Sequence, residues 1–260
     1  MAFSVLAAAQ ARAVPTGQCK LVYTSATQLT LKPFQGAALK INGAVYTLPS
    51  GGISVTNAGL GPNVLAYVYA YINAGAVTLG FWTTGHTTDT AAGNVGVEIM
   101  NGDPTKSLVG MVQTNASGQF VDSNTNRQVR SWFNDSGVQF FNATSTTVST
   151  SNTFWTELDA GVRIFVLGWA GEQFAATFAV SVSNNTIGAT TYIVPWVDGG
   201  LFGLYTFMHA PAAGYYETVT PNAGSVFGSD SVRTLALAGQ VGSGTLTTTN
   251  KHISGFTLRR

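Results

Sequence analysis

FAATFAVSVS, residues 174–183, alternates between two kinds of side chain without a break. Phe174, Ala176, Phe178, Val180 and Val182 fall on one side, and Ala175, Thr177, Ala179, Ser181 and Ser183 on the other. Successive side chains of an extended strand point to opposite faces, so this period of two predicts a strand with one face in a core. LAYVYAYI, residues 65–72, carries the second decisive pattern. Leu65, Tyr67, Tyr69 and Tyr71 share one face and Ala66, Val68, Ala70 and Ile72 the other. Both faces are apolar, which predicts a central strand covered on both sides.

Outward from these two stretches, strand and turn signals keep alternating. Leu39-Lys40-Ile41, Asn42-Gly43 and Ala44-Val45-Tyr46 form a hairpin pattern, because Asn-Gly supplies the positive φ angles of a tight two-residue turn. In the first half, further strands are expected at 77–82, 95–100, 108–113, 128–133 and 138–143. In the second half they are expected at 162–169, 191–197, 201–208, 215–220 and 232–238. A last one, 246–258, reads as broken near Gly255. Asp198-Gly199-Gly200 reads as a hairpin, and Gly239 to Gly244 as a hairpin loop, since no helix follows the glycines to make a phosphate cradle. Gly, Asn, Asp or Pro interrupts every stretch that a long helix would need. TSTTVSTSNT, residues 144–153, is polar, β-branched and uncharged, and reads as a linker or an exposed edge strand. The expectation is an all-β chain of two tandem β-sandwich or jelly-roll-like domains, 16–143 and 144–260. Residues 1–15 precede them as a short Ala-rich helix ended by Pro15, or a docking segment presenting Phe3, Val5 and Leu6. A frayed terminus is the plainer alternative there.

Composition narrows the function classes. Charged residues make up 9% of the 260-residue chain, against about 25% in an average soluble protein. So few charges give little electrostatic protection against self-association, which predicts a homo-oligomer or a docked subunit. The net charge is +1, and the sole basic cluster is Arg259-Arg260, so a nucleic-acid footprint is not expected. No apolar run reaches the roughly 18 residues of a membrane-spanning helix. A membrane β-barrel shares the alternation and the low charge, but the two apolar faces of 65–72 argue against a polar lumen. The single Cys19 reads as a buried thiol.

Catalytic constellations find little support. The 11 carboxylates form no motif pair. Glu157 and Asp159 read as the acidic edge of a solvated loop. His86, His209 and His252 are scattered and match no metal-ligand spacing, so no metal or cofactor is expected. His86 and Asp89 share a polar loop and are candidate ligand or interface residues, with a hydrogen-bonded loop as the plainer reading. Among the aromatics, the adjacent pairs Trp132-Phe133 and Tyr215-Tyr216 should each place one ring inside and one outside. Trp132, Tyr215 and Tyr216 are therefore candidates for an assembly or glycan contact, against core packing as the alternative.

One family likeness adds to this. Cys19-Lys20-Leu21-Val22-Tyr23, LTLKPF (29–34), Ile41-Asn42-Gly43, Thr84-Gly85-His86-Thr87, GNVGVE (93–98), VGMVQTNASGQFVD (109–122) and Trp132-Phe133-Asn134 together resemble a module of tailed-phage and prophage virion structural proteins. The likeness covers about 120 residues. The second half is similar in style, less specifically, to domains of virion fibres, collars and decorations. What the resemblance implies is a virion structural subunit, a homo-oligomer with a trimer favoured. Its partners would be capsid, portal or tail adaptor proteins, with a host surface glycan as a further one. A receptor- or glycan-binding module is the second reading, and an enzyme such as a capsule depolymerase is a distant third. The 11 carboxylates and the small size disfavour that third reading, so no enzyme is expected. The family lends no catalytic residue to any position here.

Overall fold

The computed structural model describes residues 16–259. They fold as an all-β chain whose one helical element is a 3-10 turn at Ala160–Val162. The expected N-terminal helix and the docking residues Phe3, Val5 and Leu6 lie outside the described residues.

In the first half, β1 (Cys19–Ser25), β2 (Gln28–Pro33) and β5 (Ile53–Thr56) make one small antiparallel sheet, with the hairpin of β3 (Ala38–Ile41) and β4 (Ala44–Thr47) beside it. Asn42 and Gly43 between β3 and β4 both have positive φ, 48° and 80°, as the Asn-Gly pattern requires. A larger sheet orders β6 (Leu65–Asn73), β7 (Ala76–Trp82), β8 (His86–Thr88), β9 (Glu98–Met100) and β10 (Asp103–Gln113) as β7-β6-β10-β9-β8. β11 (Asn126–Arg127) leaves for the second half, and β12 (Val129–Ser131) returns to pair with β10. Ala66, Val68 and Ala70 of β6 pack with Leu21, Leu29, Leu31, Leu39 and Ile41 in the first core. Tyr67 and Tyr69 face the opposite way, into a second cluster with Leu108 and Met111. The two apolar faces of 65–72 are thus both covered. At Gly110 the backbone of β10 approaches β1 so closely that a Cβ would lie 2.4 Å from Leu21 Cδ2 and 2.5 Å from the Arg130 carbonyl oxygen.

After β12, the first strand in the second-half sheets starts at Gln139, inside the margin of about ten residues around the expected boundary at 143. β13 (Gln139–Thr144) runs antiparallel to the last strand of the chain and belongs to its sheet. The physical reason is Phe140, which is 2% exposed and sits in the second-half core. The remaining strands are β14 (Val148–Thr150), β15 (Thr156–Glu157), β16 (Ile164–Gly168), β17 (Gln173–Asn184), β18 (Thr190–Val197), β19 (Gly200–Leu201), β20 (Thr206–His209), β21 (Tyr216–Val219), β22 (Asn222–Val226), β23 (Ser231–Val241) and β24 (Leu246–Leu258). One sheet orders β13-β24-β17 with β21 and β22 beyond, and β14 on β24, so 144–153 does hold an edge strand. The other orders β11-β16-β23-β18 with β19 and β20 beyond. β24 continues through Gly255 unbroken. Asp198 and Gly199 make the positive-φ turn between β18 and β19.

Between the two sheets lies one core. Phe174, Ala176, Phe178, Val180 and Val182 contribute the inward side of β17, as the alternation predicts. Ile164 and Val166, Ile193 and Val197, and Leu235 and Leu237 come from the facing sheet. Phe178 is fully buried at the centre. Phe178→Ala is expected to cost about 3–5 kcal/mol of unfolding free energy, read from the shift of the urea midpoint at unchanged slope.

Candidate functional site

His86 begins β8, whose pairing with β9 sets Thr88 opposite Glu98. Its Nδ1 lies 2.5 Å from Glu98 Oε1 and its Nε2 2.9 Å from Asp230 Oδ2. Asp230 belongs to the second half, immediately before β23. The same Asp230 carboxylate accepts hydrogen bonds from Tyr67 Oη at 2.9 Å and from the Ala170 amide at 2.7 Å, while Thr88 donates to Glu98 Oε2 at 2.7 Å. Burial by itself would lower the imidazole pKa. Hydrogen bonds to Asp230 and Glu98, and their charge, outweigh it and raise the value to about 9. Burial works to raise Glu98 and Asp230, yet hydrogen bonding to His86 holds both below the ordinary carboxylate range. At neutral pH the ring is therefore an imidazolium donating from both nitrogens. It has no lone pair left to serve as a general base. It joins the halves.

Aromatic rings wall this joint. Trp132 lies 5.2 Å and Trp169 5.9 Å from the His86 ring, and the two indoles meet edge to face at 4.9 Å. The Arg259 guanidinium sits 4.2 Å over Trp132 and donates to the Ser131 and Trp132 carbonyls. Next to it, Arg130 of β12 has no solvent exposure of its side chain. Its Nη2 donates to Glu172 Oε1 at 2.6 Å and its Nη1 to Glu172 Oε2 at 2.9 Å and to the Leu167 carbonyl at 2.7 Å. Nε donates to Asp135 Oδ2 at 2.9 Å. Arg130 thus carries a charge from the first-half sheet to Glu172 and the Leu167 carbonyl of the second half, with Asp135 of the connecting segment as its other carboxylate partner.

The structure brings His86 and Trp132 together and leaves the other candidates apart. Asp89 folds its own loop: its carboxylate accepts from the Ala91 amide and the Asn94 side chain, which hold its pKa down. Tyr215 and Tyr216 are 51% and 47% exposed, so that pair does not split into inside and outside. The reason is local: Tyr215 precedes β21, and Tyr216, Glu217 and Thr218 of that terminal strand of the sheet are all exposed, so alternation does not hold there. Trp132 and Phe133 are both half-buried because β12 ends at Ser131. Glu157 pairs with Arg163, and Asp159 caps the 3-10 turn and faces the buried Lys251 at 3.2 Å. Sequence reasoning missed Glu98, Arg130, Glu172, Asp230 and Arg259, since the contacts that tie them across the halves, His86–Asp230 and Arg130–Glu172, join residues 144 and 42 positions apart. Among the described residues no group of three or more His, Cys, Asp or Glu side chains is arranged to hold a metal ion, and no described helix is long and apolar enough to cross a membrane.

A second feature lies on the outer face of the β18–β20 sheet. The register sets Tyr192 opposite Phe207 and Thr190 opposite His209. Trp155, Tyr192, Tyr205, Phe207 and His209 form a chain of ring contacts with centroids 5.3 to 6.4 Å apart. Tyr205 is 55%, Phe207 54% and the neighbouring Leu204 85% exposed. Contiguous apolar surface of this kind marks an interaction face more often than scattered single residues do.

No protein-family model matches the sequence, and no curated protein matches it. Among solved structures, the insecticidal delta-endotoxin Cry8Ea1 from Bacillus thuringiensis aligns over 93% of this chain and 52% of its own, at 9% identity and a TM-score of 0.31. The chain spans about half the length of that toxin. The VP2 subviral particle of infectious bursal disease virus aligns over 95% of this chain and 74% of its own, at 11% identity and a TM-score of 0.31. At such scores the likeness assigns neither a family nor an activity.

Two measurements test the joint. Arg130→Met leaves Glu172 and Asp135 buried without their cation and is expected to cost about 3–5 kcal/mol in denaturant unfolding. For His86 the folded pKa is raised, so its contribution is complete below the ordinary value near 6.5 and is lost as pH rises through about 9. The lowered carboxylates contribute above their ordinary range near 4 and lose that contribution as pH falls. Thermal unfolding of the wild type should fall between about pH 6.5 and 9 more steeply than that of His86→Gln, and parallel curves would refute the assignment.

Proposed function

We propose that this chain is a structural subunit of a virus particle, and specifically a tailed-phage appendage or head-decoration protein that works as a homo-oligomer, with a trimer favoured, docked on a capsid, portal or tail adaptor. The supporting observation is the aromatic outer face of Trp155, Tyr192, Tyr205 and Phe207, left open in a chain with only 9% charged residues. Burying a large apolar side chain against a neighbouring copy contributes about 1.5–3 kcal/mol, so a few such rings supply much of the drive for a stable contact.

Strand order supports the same reading. Counting the second half as eight strand units along the chain, one sheet runs first, eighth, third, sixth, and the other second, seventh, fourth, fifth. We infer a jelly roll from that order, an architecture shared by viral capsid and lectin domains. Fold alone does not fix function, and the family resemblance of the first half supplies the rest of the reading. The reading gives the chain no catalytic role, and turnover of a polysaccharide by the purified protein would contradict it. A receptor- or glycan-binding role at a host-facing tip is the second reading, favoured by the exposed Tyr215 and Tyr216.

Light scattering coupled to size exclusion at micromolar concentration tests the assembly. The wild type is expected at a multiple of 27.1 kDa. Leu204→Asp with Phe207→Asp is expected to release a folded monomer, because both side chains are exposed and the core is untouched. A monomeric wild type would remove the self-assembling version of the proposal.

A further inference from the structure

On the opposite side of the second half, the register of four strands builds a trough. Gln139, Phe256, Ala175 and Gly224 form one cross-strand row on the outer face, and Phe141, Ser254, Thr177 and Asn222 the next. Phe141 and Phe256 stand exposed, at 48% and 42%, on adjacent strands of neighbouring rows. Ala175 and Gly224 are too small to fill the space beside them. The result is a concave channel of about 580 Å³ running across the strands, within the range of ordinary ligand sites.

The chemistry of its lining selects a ligand class. Two ring faces offer apolar platforms. Thr177 donates to Asn222 Oδ1 at 2.8 Å, which fixes that amide and leaves its nitrogen pointing away from protein partners among the described residues. Ser254 and the Gln139 amide add further uncharged donors and acceptors. The one ionised side chain in the lining, Arg127, is already occupied: Nε donates to the Gln139 carbonyl at 2.6 Å, Nη2 to Asn124 at 3.0 Å, and Nη1 lies 3.6 Å from Asp122. The channel therefore has no spare charge to recognise an anion or a cation. A peptide strand is disfavoured too, because the channel lies on the face of paired strands and offers no free main-chain edge to extend.

We propose that this trough binds a neutral oligosaccharide chain lying across strands β13, β24, β17 and β22. The apolar C–H face of one sugar ring rests on Phe141 or Phe256, and ring hydroxyls exchange hydrogen bonds with Asn222, Ser254 and Gln139. This site is separate from Tyr215 and Tyr216 and from the aromatic face of the other sheet. It stands whether or not the assembly reading holds.

The test uses the full chain against immobilised neutral hexasaccharides of glucose, galactose and mannose, with sulfated and sialylated glycans as charged controls, followed by calorimetric titration of the best binder. Binding is expected in the range typical of single weak sites, with a tenfold or greater loss in Phe256→Ala and in Phe141→Ala. Melting of both variants should stay close to the wild type, because the rings are exposed. Asn222→Asp, which keeps the shape and adds a charge, should also lose affinity. Tyr205→Ala, on the other sheet, should not. The proposal is overturned by no binding of any neutral glycan at millimolar concentration, by preference for the charged controls, or by undiminished binding in the Phe141→Ala/Phe256→Ala double variant. It is also overturned if that double variant turns an oligomer into a monomer, since the trough would then be covered by a second copy. Assembly is read by mass and glycan binding by heat, so either reading can fail without the other.

Discussion

Arg130 decides how the two halves can meet. A fully buried guanidinium that lost its partners would cost several kcal/mol, so only arrangements that supply them are allowed. Glu172 supplies two acceptors, Leu167 a carbonyl and Asp135 the remaining carboxylate oxygen. Arg130 is fixed in the first-half sheet through β12 and β10, while Glu172 is fixed just before β17 by accepting the Trp169 amide at 3.0 Å. A buried ion pair is a weak source of net stability compared with well-packed apolar groups. Its value here is orientation: a slipped docking would strand charges away from water on both sides.

His86 repeats the device a short distance away, with the same arrangement of signs. There one cation stands between two carboxylates, Glu98 from its own sheet and Asp230 from the other half. Trp132, Trp169, Tyr67 and Arg259 close around it, lowering the local dielectric and strengthening each polar contact. In a chain with so few charges, several of them are spent on this one seam. That leaves the outer faces of the second half almost uncharged, and what those faces do is set by their neutral side chains.

The fold was legible where a local period carries it. The alternation at 174–183 gave the inward residues of β17 one by one, and the doubly apolar 65–72 gave a central strand. Asn42-Gly43 and Asp198-Gly199 gave their turns because positive φ is a local demand. The boundary near 143 was legible only to within about ten residues, because what draws β13 into the second half is the pairing of Phe140 with a strand more than a hundred residues later. The seam was hidden for the same reason. His86 was visible as a lone polar ring, but Asp230 lies 144 residues away and looks like an ordinary loop aspartate. Arg130 and Glu172 stand in unremarkable local sequence, and nothing near either one announces a buried partner. Tyr215 and Tyr216 show the opposite error, in which a strand rule was applied to a residue that precedes its strand.

The two sheets of the second half share one core yet present unlike surfaces, and the period of two explains how. Each strand spends every other residue on the core, so its outward residues are free of packing demands. β18 and β20 use that freedom for large rings, Tyr192 and Phe207, set opposite one another. β17 and β22 use it for Ala175, Thr177, Asn222 and Gly224, which leave a channel between the rings of Phe141 and Phe256. A face of touching rings has no room for a small ligand and much apolar area for a flat partner. A face of small polar residues between Phe141, which lies against His252, and Phe256 has the reverse. The proposed protein contact on one sheet and sugar contact on the other then rest on the same backbone, and the core between them constrains neither.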